Sequence, residues 1–271
     1  RDALQENRLG DSAKQKLASD INVALMNVAS AQGTLFVKRA AAATGFDDVA
    51  QAEAIFNEQG VPSYDRYLAL STRDYNGMAS NLAGRQNVTD LPKEAYRRAY
   101  VGMIASFDTY KLDYANRVAA AGGAGLTIDT RDVAVNYYIP QATSASVGGK
   151  INVDNRYQTV TVSSTASVAA GDAFTIAAVN AVHHITKQDT GQLKTFRVIS
   201  VTNGTTMVIS PPIISNQVAN DASAQYQNCV VNTKSATSAI VFLNTVAGYA
   251  NPFWQRDALE ILPGRYAVPT D

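Results

Sequence analysis

The chain has 271 residues, 46% apolar and 17% charged, with 23 basic against 23 acidic side chains. That balance argues against a protein whose main task is gripping phosphates, because such binders carry an excess of Lys and Arg. The apolar share excludes a disordered chain, and Cys229, the single cysteine, excludes an internal disulfide, so folding in a reducing cytosol is the simplest reading. No apolar run of eighteen or more residues occurs, and the opening RDALQENRLG is too polar for a secretory signal. The polar start without an initiator Met predicts a fragment of a longer chain.

The first element is a long amphipathic helix over about 11–33, which can begin earlier. Ser12 and Gln15 fit a capping box, and Leu17, Ile21, Leu25 and Val28 recur along one face as a core stripe. A second helix runs from Asp48 to Gln59, with Val49, Ala52 and Phe56 as its apolar set and Gly60 as its stop. Tyr67 to Leu70 reads as a short buried strand, and Ser71 caps a helix over Thr72 to Leu82. Pro92 suits the first turn of a helix over Lys93 to Arg98, and Tyr100 to Ser106 is apolar enough for a strand. Short helices around a few apolar strands indicate an α+β fold rather than repeated βαβ units.

The glycines at 122, 123 and 125 suit a hinge or domain entry, and composition changes there. Residues 1–123 hold 28 of the 46 charged side chains, whereas residues 124–246 hold 13 in an equal length. The middle is rich in Val, Thr, Ser and Asn, and Tyr157 to Ser163 (YQTVTVS) alternates in strand fashion. Phe174 to Val182 continues after a Gly171-Asp172 turn. Thr195 to Thr202 and Thr205 to Ser210 form a hairpin whose Asn203-Gly204 pair suits a type I′ turn. Val133 to Ile139, Gln227 to Asn232 and Ser238 to Leu243 complete the strand set. Such a series implies a small antiparallel barrel or sandwich, the barrel preferred, since an open sheet would leave exposed edges. Residues 247–271 are too short for a core of their own. Their segment NPFWQRDALEIL, with the only Trp, predicts a return into the first domain, which makes the middle an insertion.

Three stretches carry a resemblance: GGKINVDNRYQTVTVSSTASVAAGDAFTIAAV (148–179), KTFRVISVTNGTTMVISPP (194–212) and NPFWQRDALEIL (251–262). Looser matches precede them at NVASAQ (27–32), YLALSTRDYNGMA (67–79) and LPKEAYRR (91–98). In this order the chain resembles the major coat proteins of P22-like short-tailed bacteriophages, which share the tailed-phage capsid fold named after phage HK97. The resemblance implies a spine helix of the peripheral domain over 1–45, a first part of the axial domain over 46–123, and an inserted six-stranded antiparallel barrel over 124–246. Residues 247–271 would return into the axial or peripheral domain. It also implies that an N-terminal arm, an extended loop and a C-terminal part lie outside this sequence.

The function so implied is that of a major capsid protein self-assembling in many copies into an icosahedral shell around double-stranded DNA. A scaffolding protein would assist a precursor that later expands, a portal would join it, and assembly would take place in the host bacterial cytoplasm. No cofactor, metal, membrane or sequence-specific DNA contact is implied. In the best-known member, the barrel loop corresponding to Gln141 to Lys150 carries acidic residues and bridges neighbouring capsomers. Here it reads QATSASVGGK, so Gln141, Ser144, Ser146 and Lys150 stand as the interface residues, without any carboxylate.

Other chemistry is sparse. His183-His184 would point to opposite faces of a strand, which opposes joint metal ligation. Cys229 reads as a buried structural thiol. Asn87-Val88-Thr89 and Asn203-Gly204-Thr205 match a glycosylation pattern, but the second already serves a turn. No GxxxxGK[ST], HExxH or GxSxG occurs, so nothing argues for an enzyme. Phe253 and Trp254 fit core better than a binding hot spot. The rival reading is a β-barrel ligand- or carbohydrate-binding module of a tail-associated protein.

Overall fold

Good helix formers dominate the first thirty residues, and they make one continuous 31-residue helix, α1 (Asp2–Gln32). The computed structural model describes residues 2–39, 45–84, 98–99, 101–129, 143–146, 149–152, 156–216, 226–232, 237–262 and 264. Because α1 starts at Asp2, Ser12 lies inside the helix and caps nothing. The expected stripe is also displaced. Leu17, Ile21 and Val28 are 63%, 44% and 48% exposed, Leu25 is half-buried, and the side chains that face inward are Met26 and Ser30. Periodicity locates an apolar face, but coverage depends on what packs there, and it is Leu25 and Met26, near the end of α1, that pack against a sheet.

That sheet belongs to the helical body. Helix α2 (Phe46–Gln59) buries Val49, Ala52 and Phe56, and ends at Gly60 with φ of 78°, the left-handed C-cap that glycine tolerates best. Strand β1 (Arg66–Ser71) follows, then helix α3 (Thr72–Ala83), whose first turn is capped by Ser71 Oγ accepting from the Asp74 amide at 3.2 Å. The expected strand over Tyr100 to Ser106 is shorter, β2 (Met103–Ile104), and turns directly into β3 (Phe107–Leu112). Strand β3 pairs in parallel with β1. The helix expected over Lys93 to Arg98 lies outside the described residues apart from Arg98, and so does the strand expected over Val133 to Ile139.

Beyond β4 (Arg117–Val118) the chain enters a second layer of strands. These are β5 (Thr127–Asp129), a separate ribbon of β6 (Thr143–Ser146) and β7 (Gly149–Asn152), then β8 (Gln158–Thr161), β9 (Ala173–Val182), β10 (Asp189–Asn203), β11 (Thr206–Ser210), β12 (Cys229–Val231) and β13 (Thr237–Phe242). The pairing order β5-β13-β9-β10-β11-β8 is antiparallel throughout, with β12 added on β9. A bridge between Ile128 and Val162 brings the two ends together, and the Ser163 amide donates to Thr127 O at 2.8 Å. The result is a nearly closed six-stranded barrel. Its interior holds Val160, Phe174, Ile176, Phe196, Val198, Met207 and Ile209, each fully buried.

The hairpin of β10 and β11 is where the sequence places it, but its turn is not type I′. None of Asn203, Gly204 and Thr205 takes a left-handed φ. Instead Asn203 Oδ1 accepts from the Thr205 amide at 3.0 Å, closing the loop with a side chain, and bulges in β10 absorb the twist. The two-residue turn with both φ positive occurs between β2 and β3, at Ala105 (44°) and Ser106 (62°). Likewise Gly123 is no free hinge, since a β-carbon there would lie 2.5 Å from the Phe242 ring.

After the barrel come β14 (Gly248–Tyr249) and β15 (Phe253–Gln255). Strand β14 pairs with β4 and β15 pairs with β1, so the body sheet reads β15-β1-β3-β2. Phe253 joins Phe56 and Phe107 in the body core, with ring centroids 5.1 and 6.1 Å away. Trp254 lies on the opposite face beside Tyr67 at 6.0 Å and packs with Leu25, Met26, Ala69 and Leu112.

Candidate functional site: junction, exposed faces and family

The sequence singles out few reactive groups, and the structure gives them structural surroundings. His183 and His184 sit in the turn between β9 and β10, not on a strand. His183 Nδ1 accepts from the amides of Ile185 and Thr186 at 3.3 Å each. Cys229 is fully buried in β12, and burial pushes its thiol up to about 12, far from a reactive thiolate. Among the described residues no group of three or more His, Cys, Asp or Glu could hold a metal, and no helix is long and apolar enough to cross a membrane.

Several buried polar side chains, Ser30, Asp172, Arg197 and Asn244 among them, lie where barrel and body meet. The chain enters the barrel at 119–121 and leaves it at 244, and these points touch. The Ala121 amide donates to Asn244 O at 2.8 Å, and Asn244 Nδ2 donates to Ala119 O at 3.1 Å and to Asp172 Oδ1 at 2.9 Å. The Ala173 amide donates to Asn244 Oδ1 at 3.1 Å, so one asparagine ties both crossings to the start of β9. Just outside, the Ala250 amide donates to Asn116 O at 2.8 Å, and Asn116 Nδ2 reaches Ser30 Oγ on α1 at 2.6 Å. Asn251 completes the return: its Oδ1 accepts from the Ser71 amide and its Nδ2 donates to Asp74 Oδ2, both at 2.8 Å.

Two arginines are buried, Arg197 at this junction and Arg66 inside the body, and the sequence reading found neither. Arg66 is 1% exposed and donates to Pro62 O (2.8 Å), Val61 O (2.7 Å), Asn57 Oδ1 (2.8 Å) and Ser106 Oγ (3.2 Å), over the ring of Phe56. Burial pulls its guanidinium below the usual arginine range, with Glu53 opposing. Arg197, on β10, is pulled down to about 10 by burial, with Asp172 opposing. An isolated Arg in a strand gives no sequence signal of burial, and only the array of carbonyls around it identifies the role. A cleft of about 1100 Å³ lies beside Arg197, lined by Leu35, Phe36, Tyr249, Phe253 and Trp254 among others.

Three of the residues expected at a subunit interface lie on a separate two-stranded ribbon. Ser144 and Ser146 lie on β6 and Lys150 on β7, in a ribbon that pairs Ala145 with Lys150 and Ser146 with Gly149. Gln141 lies outside the described residues. Of the other residues singled out, Asn203 and Gly204 close the β10–β11 hairpin, and Phe253 and Trp254 lie on β15 in the body sheet.

Comparison with known proteins identifies the family. A family model described as P22 coat protein, gene protein 5, matches residues 1–271. The chain belongs to the P22 coat protein family. It is therefore a major capsid protein of a bacteriophage virion, a structural subunit that works in many copies. The whole-length match leaves nothing in favour of a tail-associated binding module. The P22-type chain is also similar to a solved structure, the CUS-3 coat protein I-domain, at 40% identity, covering 45% of this chain and 99% of that one with a TM-score of 0.32.

Proposed function

We propose that copies of this chain close into an icosahedral shell around double-stranded DNA, through a scaffold-assisted precursor that expands on maturation in the host cytoplasm. The observation that carries the reading is the family match along all 271 residues. A near-neutral subunit suits a container that holds nucleic acid without gripping it, and the exposed apolar residues Leu17, Ile21 and Val28 of α1 offer surface for burial between or within subunits. Scaffolding protein and portal are the expected assembly partners.

Within this reading the chain has the tailed-phage capsid architecture of phage HK97. Residues 1–45 form the spine helix region, 46–123 the first part of the axial domain, 124–246 the inserted barrel, and 247–271 the return. The contact between Ala121 and Asn244 and the pairing of β15 with β1 support an insertion, because the chain leaves and rejoins the body at one place. The ribbon region with Gln141, Ser144, Ser146 and Lys150 serves as the contact between neighbouring capsomers, using hydroxyls, amides and one ammonium rather than carboxylates. Co-expression with a scaffolding protein, followed by sedimentation and electron microscopy, tests the assembly. Closed shells are expected, and only small soluble species across conditions would sink the proposal. Replacing Lys150 by Glu in such particles tests the ribbon contact: shells that form and resist heat like wild type would remove it from the interface.

A further inference from the structure

Neither α1 nor α2 ends with a cation of its own. The last turns of α1 and α2 hold no basic residue, although a helix C-terminus gathers partial negative charge and leaves carbonyls without intrahelical donors. At each end local amides meet some of these carbonyls, and the barrel supplies one further donor. Arg197 donates through Nε to Gly33 O, just beyond α1, at 2.7 Å, and through Nη1 to Gly171 O at 2.6 Å. Its guanidinium stacks over the ring of Phe36 at 5.1 Å. At α2 the His184 amide donates to Gln59 O at 2.9 Å, and the His183 ring lies so close to Gly60 that a β-carbon there would come within 2.7 Å. The bond to Gly171 is internal to the barrel. The bonds to Gly33 and Gln59 are not, and they serve only to join barrel and body.

We propose that these two contacts form a clasp, with Arg197 as its positioning residue, that sets how the barrel stands on the helical body and can open while both parts stay folded. The paired strands β4 and β14 then act as the tether. This inference does not rest on the shell reading, since it concerns the single chain.

Native-state hydrogen exchange on the full chain tests it. Arg197→Met keeps most of the side-chain length and removes the donors. The amide of His184 is expected to exchange about tenfold faster or more, while those of β9, β10 and β11 keep wild-type protection. His184 is the informative reporter because Arg197 does not touch it, so a merely local role would leave its amide unchanged. Wild-type exchange at His184 in Arg197→Met overturns the proposal. Where Arg197→Met also deprotects the barrel strands, Phe36→Ala is read by the same criteria, because it removes the stacking surface and leaves the barrel's own residues intact. Barrel strands that lose protection in step with His184 in Phe36→Ala likewise overturn it.

Discussion

Arg66 places a cation where a hydrocarbon of similar length would fit, and it does so to satisfy four acceptors from three different stretches of chain. Val61 O, Pro62 O, Asn57 Oδ1 and Ser106 Oγ all depend on it. Arg66→Met is expected to cost about 3 kcal/mol, because buried acceptors left without donors carry their full desolvation penalty. Urea unfolding followed by Trp254 fluorescence measures it, and a loss below 1 kcal/mol, roughly one ordinary hydrogen bond, would show that water replaces the guanidinium. Cys229 gives a pH-dependent counterpart. Its native value near 12 exceeds its ordinary 9.0. Between those values the unfolded chain releases the thiol proton and the native chain keeps it, so the group's contribution to stability is whole below pH 9 and falls as pH rises. The slope is about 1.4 kcal/mol per pH unit. Cys229→Ala should flatten the alkaline decline relative to wild type by that amount, and parallel profiles would refute the burial argument.

Turns show most clearly what local sequence can and cannot dictate. Asn203-Gly204 marks the β10–β11 hairpin correctly because both residues leave strands readily, yet the side-chain bond to Thr205 made a positive φ unnecessary. Ala105-Ser106 carries no turn signature and nevertheless adopts the left-handed pair. The conformation is imposed from outside, since Ser106 Oγ donates to Glu53 and accepts from Arg66. Ala105→Gly is therefore expected to raise stability by up to about 1 kcal/mol, the left-handed strain relieved less the added freedom of the unfolded chain; thermal melting checks it, and a lower midpoint would count against strain at this turn. The same contrast holds for helices. The short helices α2 and α3 were legible to within two residues because their caps and stops are written locally. The covered face of α1 was not legible, because burial at Met26 rather than Leu17 depends on a sheet built from residues some forty to two hundred and thirty positions further on.

The body draws its sheet from both sides of a long excursion, which periodicity alone cannot reveal; it became legible only through the isolated aromatic segment around Phe253 and Trp254 and through the resemblance. Removal of residues 124–246 joins Gly123 to Ala247 and leaves a short loop between β4 and β14, which already pair. The shortened chain is expected to keep the far-UV helical signal of α1 to α3 and a partly buried Trp254, with lower stability from the lost junction contacts. A chain without cooperative unfolding would refute the independence of the body. The neck at β4 and β14 has a mechanical corollary. Tension applied to the two flanks of the body pulls these antiparallel strands apart from one end, as a zipper opens, so the load reaches the barrel's strands only after the neck has parted. Stretching between Asn116 and Ala250 in an optical trap should thus give a weak early rupture before a strong late one, and the reverse order would mean that the barrel bears strain from the outset.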